Sequence, residues 1–370
     1  MGRCTSTPER RPLPTSIVSE TGNLTRELAG RVSAASAART PLRIVGGDTK
    51  AFYGRAVDGD PLDVSGHAGV VDYEPSELVI TARAGTRIEE IEALLAQRGQ
   101  RLAFEPPILG PESTLGGVVA AGMAGPRRPF AGAVRDSVLG VTVLDGKGEA
   151  LRFGGTVFKN VAGFDAFRLM AGGLGCLGVL LEVSLRVAPI PAAELSRSFD
   201  LPWRAAQARL TGLMRRPLPL SGGAYDSRRL HLRLSGPAGA VAAAATGLGG
   251  EATPAAFWDD LRHRRLGLLR TAPRLWRLSV PRTADLSDLP GPAIRDWAGA
   301  EVWLDSDAPA EAIRRLAAQA GGHATLYRGA TAGEEVFTPL PPGLLALHRR
   351  VKAAFDPAGV FNPGRMYEGL

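Results

Sequence analysis

Between Gly110 and Gly178 the chain packs 16 glycines into 69 residues, against 30 in the other 301. No Gly-X-Y period runs through this block, which excludes a collagen-like chain. Val, Leu and Ala fill the spaces between the glycines, so it is not a flexible linker either. Glycine embedded in an apolar segment marks a backbone that something approaches closely.

The 370 residues are enough for two or three domains, and 45% hydrophobic with 22% charged residues suffice for a full core. The net charge is +7. Nearly all of the basic residues are arginine and they are scattered, so the basic stripe of a nucleic-acid binder is missing. An anionic substrate or acidic partner suits the same sign. Cys4 and Cys176 are too few for a disulfide framework or an iron–sulfur cluster. The composition fits a reducing compartment, and the location expected is cytoplasmic. No signal peptide is visible. The longest apolar stretch, Leu169–Leu181, holds four glycines and is too short to span a membrane.

Residues 1–20 read as a disordered extension and 21–40 as a helix. Leu42–Val45 is a short strand ending on Gly46-Gly47-Asp48-Thr49-Lys50, and Leu78–Ala84 is a second strand. Thr86 and Glu89 have the spacing of a capping box, Ile88, Ile91, Leu94 and Leu95 share one helical face, and Gly99 is the stop. Thr114–Met123 reads as a tightly packed small-residue helix. Val141–Leu144 and Ala150–Phe153 flank a hairpin turn. Alternation from Val179 to Val187 predicts a half-buried strand. Pro189 and Pro191 mark a boundary, beyond which lie all five tryptophans. The later region alternates strand and helix signals (Leu230–Leu234, Ala238–Ala245, Leu275–Val280, Glu301–Leu304, Pro309–Ala320, Ala324–Tyr327, Gly343–Phe355). That pattern predicts an antiparallel sheet with helices on one face.

Four segments carry candidate chemistry. Gly46–Lys50 follows a strand, where successive backbone N–H groups can converge on a pyrophosphate or simply form a turn. It lacks the spacing of a nicotinamide-binding fingerprint. Ser113-Thr114-Leu115-Gly116-Gly117, continuing to Gly122, admits a ring or phosphate, or packs tightly for its own sake. The third is Gly132–Val138, with the Arg135-Asp136 pair. The fourth is Lys159–Asp165, running through Arg168 into Gly172–Gly178.

In this order the segments resemble the FAD-binding proteins of the PCMH, or vanillyl-alcohol-oxidase, type. The likeness is greatest to the FAD-binding E-subunit family of bacterial glycolate oxidase (glycolate dehydrogenase). The runs that carry it are Ser113–Gly117, Ala124–Pro129, Arg135-Asp136, Phe153–Gly155, Lys159–Asp165, Gly175–Val179, Gly321–Thr325 and Gly359–Tyr367. The resemblance covers about residues 25–370. It implies an α+β fold: a PCMH-type FAD-binding domain of two α/β subdomains (21–188), then a smaller antiparallel-sheet α+β cap (194–355). A tail (356–370) would return to the FAD domain.

The resemblance also implies a site. Gly46, Gly47, Asp48, Thr49 and Lys50 would wrap the FAD pyrophosphate. Ser113, Thr114, Gly116 and Gly117 would line the flavin and pyrophosphate, with Gly122 and Arg127 continuing that wall. Asp136 and Val138 would sit on the ribityl–adenine side, and Gly175, Gly178 and Val179 would meet the adenine or ribityl portion. The first loop has no histidine, so the FAD is expected to be noncovalent. The His-rich H-x-G-D-G-N-x-H-like segment of catalytic relatives is missing, and no metal site is expected. His323 is the candidate base for a 2-hydroxy acid, against a plain domain-edge role. Arg365 could bind a carboxylate or pin the tail, and pinning is favoured. His231 is expected to face solvent or a partner, and Cys176 to be a small core residue.

The implied partners are a catalytic FAD subunit and an iron–sulfur subunit, which together oxidise glycolate to glyoxylate. Peripheral attachment at the inner membrane would come through that complex. The rival readings are a free-standing FAD-dependent 2-hydroxy-acid dehydrogenase and a non-catalytic assembly subunit that has lost FAD.

Overall fold

The computed structural model describes residues 23–155 and 165–370. The expected extension over 1–20, Cys4 and the Lys159–Phe164 part of the fourth segment lie outside the described residues.

The first half is built on a five-stranded antiparallel sheet in the order Val70–Glu74, Val79–Arg83, Val179–Arg186, Val138–Leu144, Ala150–Gly154. Helices Ile88–Ala96 and Leu115–Ala121 cover one face through Ile88, Ile91, Leu95, Val118 and Val119, packed on Ile80, Val141, Val183 and Leu185. A separate parallel pair, Leu42–Val45 with Asp60–Asp63, sits with helix Thr25–Ala38 over Leu144, Val179 and Leu181. Strand Val179–Arg186 is central and buried on both faces, rather than half-buried as its alternation suggested. Its polar Ser184 is accommodated by a hydrogen bond to Thr81 Oγ1 at 2.8 Å.

The second half is an eight-stranded antiparallel sheet. Its order is Glu251–Ala252, Ala193–Asp200, Arg229–Gly236, Leu220–Tyr225, Ala293–Asp296, Glu301–Asp305, Leu275–Ser279, His323–Arg328. Helices Trp203–Leu213, Ala238–Leu248 and Ala310–Gln319 bury Leu210, Val241 and Ile313 on one face. The helices are not confined to that face. Phe257–Arg262 and Gly267–Thr271 pack on the other, beside Tyr53, Ala121 and Met123 from the first half. The second face is therefore the one turned toward the glycine-rich half.

Two local expectations fail for the same reason, competition from distant chain. Helix Ile88–Ala96 has Arg87 at its N-cap and no side-chain cap, so Thr86 and Glu89 form no capping box. Thr86 Oγ1 instead accepts from the Gly69 amide at 2.9 Å. His231 is buried rather than solvent-facing. Alternation with Leu230 and Leu232 correctly puts it on the opposite face, but that face is covered: His231 stacks on Phe257 and meets Asp226 Oδ2 at 2.9 Å.

The C-terminal residues close the first half. Phe361 bridges Leu42 in parallel, and the Leu42 amide donates to Val360 O at 2.7 Å. Asn362 Oδ1 accepts from the Ile44 amide at 2.8 Å, and its Nδ2 donates to Leu174 O at 2.7 Å. Lys352 Nζ, on helix Pro342–Phe355, donates to Cys176 O, Phe361 O and Asp356 Oδ2.

Candidate functional site

The strand Leu42–Val45 delivers the loop Gly46–Lys50 to the mouth of a cleft. A second cavity continues it, sharing Ile44, Gly46, Gly117, Ala120, Leu174 and Asn362 with the first. Together they form a groove between the parallel strand pair, helix Leu115–Ala121 and the glycine-rich segment after Met170. The helix is placed by its ends. Thr114 Oγ1 accepts from the Gly117 amide at 3.2 Å, and Gly122 closes it in the left-handed conformation, φ 64°. The Gly172 and Leu174 amides then donate to Val119 O and Ala120 O, which fixes the far wall.

Glycine relieves crowding at two positions here. At Gly47 a Cβ would stand 1.5 Å from the Glu112 carbonyl oxygen, so the loop can pass only without a side chain. At Gly117, which lines both cavities, the squeeze is milder: a Cβ would come within 3.2 Å of Thr114 Oγ1, which would have to give by a few tenths of an ångström.

The donor set fits an anion. The backbone amides from Gly46 to Lys50 find no protein acceptor among the described residues. Lys50 also lines the cleft, and the only hydrogen bond of its ammonium among the described residues is a 3.4 Å contact with Thr49 Oγ1. Burial pushes its pKa down to about 8, the response of a cation deprived of water and of a counter-ion. A diphosphate would supply both missing partners, so the residues present fit FAD, laid along the glycine wall with its pyrophosphate on this loop.

The other expected positions divide. Asp48, Thr49, Thr114, Gly116, Gly175 and Gly178 line the groove. Ser113 stands behind it, its hydroxyl 3.0 Å from Thr49 Oγ1. Gly122 is one residue beyond the lining, against Gly172. Asp136 caps the Ala133 amide at 2.9 Å and faces Arg168 at 3.7 Å, outside the groove. Val138 and Val179 are buried strand residues. Residues that sequence reasoning left out of the site also line the groove: Ile44, Ala120, Leu174 and Asn362. Asn362 sits in the closing Asn362-Pro363-Gly364-Arg365 run, which was the available signal.

Arg127 belongs to a different structure. It joins Glu105 Oε1 at 2.9 Å and Glu194 Oε2 at 2.7 Å. Arg233, from the second sheet, donates to Glu105 Oε2 at 2.9 Å. Burial alone would raise the Glu105 pKa, but Arg233 and then Arg127 outweigh it and hold the carboxyl at about 2. Arg127 therefore ties the two halves together and does not line the cofactor groove. Further along the seam, Glu301 is bound by Arg277 Nε at 2.6 Å and Trp303 Nε1 at 3.0 Å. Asp296 beside it is pushed up to about 8 by burial and then by the Glu301 charge.

Arg365 donates to the carbonyls of Lys50, Ala51 and Arg55, so it pins the tail onto the anion loop. His323 stands at an exposed strand start paired with Ser279, outside the groove; desolvation and then Arg277 lower its pKa. His67 accepts from the Leu24 amide and His263 from the Ile108 amide. Cys176 is buried and its thiol is pushed up to about 11 by burial. Among the described residues no cluster of His, Cys, Asp and Glu could hold a metal ion, and no helix is long and apolar enough to cross a membrane.

Comparison with known proteins agrees with this geometry. Residues 23–154 match the FAD binding domain family, and residues 311–366 match the C-terminal domain of FAD linked oxidases. A solved alkyldihydroxyacetonephosphate synthase shares the fold, with TM-score 0.63 at 17% identity over 91% of this chain and 74% of that one. Fold and groove together define an FAD-linked oxidase, and FAD is its cofactor. The glycolate oxidase subunit GlcE of Escherichia coli (strain K12) is 48% identical over 343 residues, 93% of this chain and 97% of that protein. The glycolate oxidase subunit GlcD of Bacillus subtilis (strain 168) is 26% identical over 192 residues, 51% of this chain and 40% of that protein. The chain belongs to the GlcE family of glycolate oxidase subunits.

Proposed function

We propose that this chain is the FAD-binding subunit of a multi-subunit glycolate oxidase, the assembly that converts glycolate to glyoxylate. The observation that carries this reading is the groove itself: unspent loop amides and an unpaired Lys50 at one end of a glycine-lined wall. Near full-length similarity to GlcE supports the substrate. FAD supplies the two-electron acceptor that oxidation of a CH–OH group requires. The chain's own residues bind and position it. The Gly46–Lys50 amides and the Lys50 ammonium hold the diphosphate. Gly116, Gly117, Gly175 and Gly178 keep the wall low, and Asn362 locks the first strand to the Leu174 segment. The attachment is noncovalent, since the loop offers no histidine.

Substrate turnover belongs to a paralogous catalytic FAD subunit of the same assembly. No histidine among the described residues lines the groove, and four of the five have structural partners or an exposed strand position. An iron–sulfur subunit completes the complex, which sits in the cytoplasm and attaches peripherally to the membrane through its partners.

The test is the purified chain alone. It should show the visible flavin band, and acid precipitation should leave the flavin in the supernatant. A yellow pellet contradicts noncovalent attachment. A colourless chain identifies a non-catalytic assembly subunit. Bleaching of the band by glycolate with no partner present identifies a free-standing dehydrogenase.

A further inference from the structure

The Gly46–Lys50 loop is fastened at its exit to the second half of the molecule. Two short turns close the loop on itself: the Ala51 amide donates to Asp48 O at 3.1 Å and the Tyr53 amide to Lys50 O at 3.0 Å. Asp48 holds the left-handed conformation, φ 50°, without being glycine. A loop of this kind loses affinity for its ligand when it has to be ordered at the moment of binding. What grips residues 52–55 therefore bears on the cofactor.

Tyr53 is buried, and its ring packs against Tyr327 and Phe337 with centroids 5.6 Å from each. Phe52 stands edge-on to Tyr327 at 5.2 Å. Tyr327 lies in the strand His323–Arg328, at the edge of the eight-stranded sheet. Phe337 follows in a segment tied to that strand, where the Leu326 amide donates to Val336 O at 2.8 Å. Arg55 pairs with Glu335 of the same segment at 2.9 Å, with side chains 18% and 34% exposed. The second Glu335 oxygen, Oε2, is buried with no hydrogen-bond partner among the described residues. Arg314, on helix Ala310–Gln319, donates to Glu335 O, and Arg274 pairs with Glu334, so the segment belongs to the second half.

Neither Tyr53 nor Arg55 lines the groove, whereas Ala51 just before them does. Gly54 holds φ 96° and passes so close to Arg365 that a Cβ would stand 3.1 Å from its Nε. The Arg55 amide donates to Arg365 O at 2.9 Å. Loop exit, tail and second half meet at this one place.

We propose that Tyr53 and Arg55 are positioning residues through which the second half holds the Gly46–Lys50 loop in its cofactor-binding shape, so that FAD affinity depends on contacts outside the groove. The proposal rests on the reading of the groove as the FAD site. Tyr53 supplies an apolar anchor, and Arg55 supplies an ion pair that fixes the direction in which the chain leaves the loop.

The test titrates FAD into the full-length apo chain by flavin fluorescence and reads the unfolding midpoint alongside. Tyr53→Leu keeps an apolar filler and loses both ring contacts, and FAD affinity should fall about threefold to tenfold. Arg55→Met and Glu335→Gln should each weaken FAD about twofold to fivefold, as for a partly exposed ion pair. The double variant should bind no more weakly than the worse single one, since each breaks the same contact. Arg55→Lys should recover most of the loss. The sign at Glu335 separates positioning from plain charge. If Arg55 acted on the diphosphate through its field alone, Glu335→Gln would tighten binding, and that result overturns the proposal. Unchanged affinity in Tyr53→Leu, or in both Arg55→Met and Glu335→Gln, also overturns it. If Arg55→Met does not fold, the isosteric Glu335→Gln decides alone. Arg228→Met, which breaks the exposed pair with Asp200, should change nothing. A parent chain that takes up no FAD sinks the reading of the groove and this proposal together. A parent that binds FAD while the variants do not respond sinks the proposal alone.

Discussion

The groove at Gly46–Lys50 and the Glu105 seam both collect charge, yet they are opposites. Around Glu105 the charges are paired. Glu105 is held by Arg127 and Arg233, and Glu194 takes the remaining Arg127 nitrogen and the Ser235 hydroxyl. In the groove the donors are left over: loop amides with no acceptor and a lysine with no carboxylate. The difference separates a joint from a receptor. A buried charge that is satisfied holds protein to protein, and one that is unsatisfied is held for a ligand.

The sharpest way to break this comparison is at Glu105. Glu105→Ala leaves two buried guanidiniums facing each other and should cost about 3–5 kcal/mol in denaturant unfolding. Flavin per folded chain should be unaffected. Loss of flavin at unchanged stability would make the seam part of the receptor. The pH dependence has a definite sign. The Glu105 pKa is depressed to about 2 in the folded chain, so its stabilisation is complete above the ordinary carboxylate range near 4.5 and is lost as pH falls toward 2.

Lys50→Met should do the reverse. It keeps the aliphatic stem and removes the charge, so apo-chain stability should hold or rise at neutral pH while FAD affinity falls about tenfold to a hundredfold, the range for a charge-assisted hydrogen bond. Fluorescence titration measures it. In the apo chain Lys50 loses its proton near pH 8, so FAD affinity should decline as pH rises through that value. The methionine variant should lack this step; an identical profile would show that another group titrates. Apo-chain stability has its own signature. Because the pKa is lowered on folding, the burial penalty is absent above pH 10.5 and grows as pH falls toward 8.

The smallest effect is expected at Arg365. Its three carbonyl bonds are partly exposed, so Arg365→Met should cost about 1 kcal/mol in stability. Flavin should dissociate faster as the loop loosens. A change in substrate saturation at constant flavin content would favour the carboxylate-binding role instead.

Much of this was legible in the sequence because the signals were local. Strand Leu42–Val45, the Asp145–Gly148 hairpin turn and helix Leu115–Ala121 each follow from residues that touch their own neighbours. The turn at Gly46–Lys50 was legible too, as a glycine pair directly after a strand. Arg127 was misread because its meaning depends on Glu194 and Arg233, which arrive only with the second sheet. His231 was misread because alternation reports which face a residue occupies and not whether that face is covered. Asn362 was passed over although its motif was noticed, since nothing local reveals that its carboxamide spans Ile44 and Leu174.

That carboxamide also bears on synthesis. The first strand emerges early, but the partners of its Leu42 and Ile44 amides, Val360 and Asn362, lie more than 300 residues later. Until translation reaches them, the groove has one edge strand incompletely bonded and one wall unfixed. Flavin loading is therefore a late event in the life of the chain, and a nascent polypeptide stalled short of Asn362 should carry no cofactor however much of its glycine-rich half has folded.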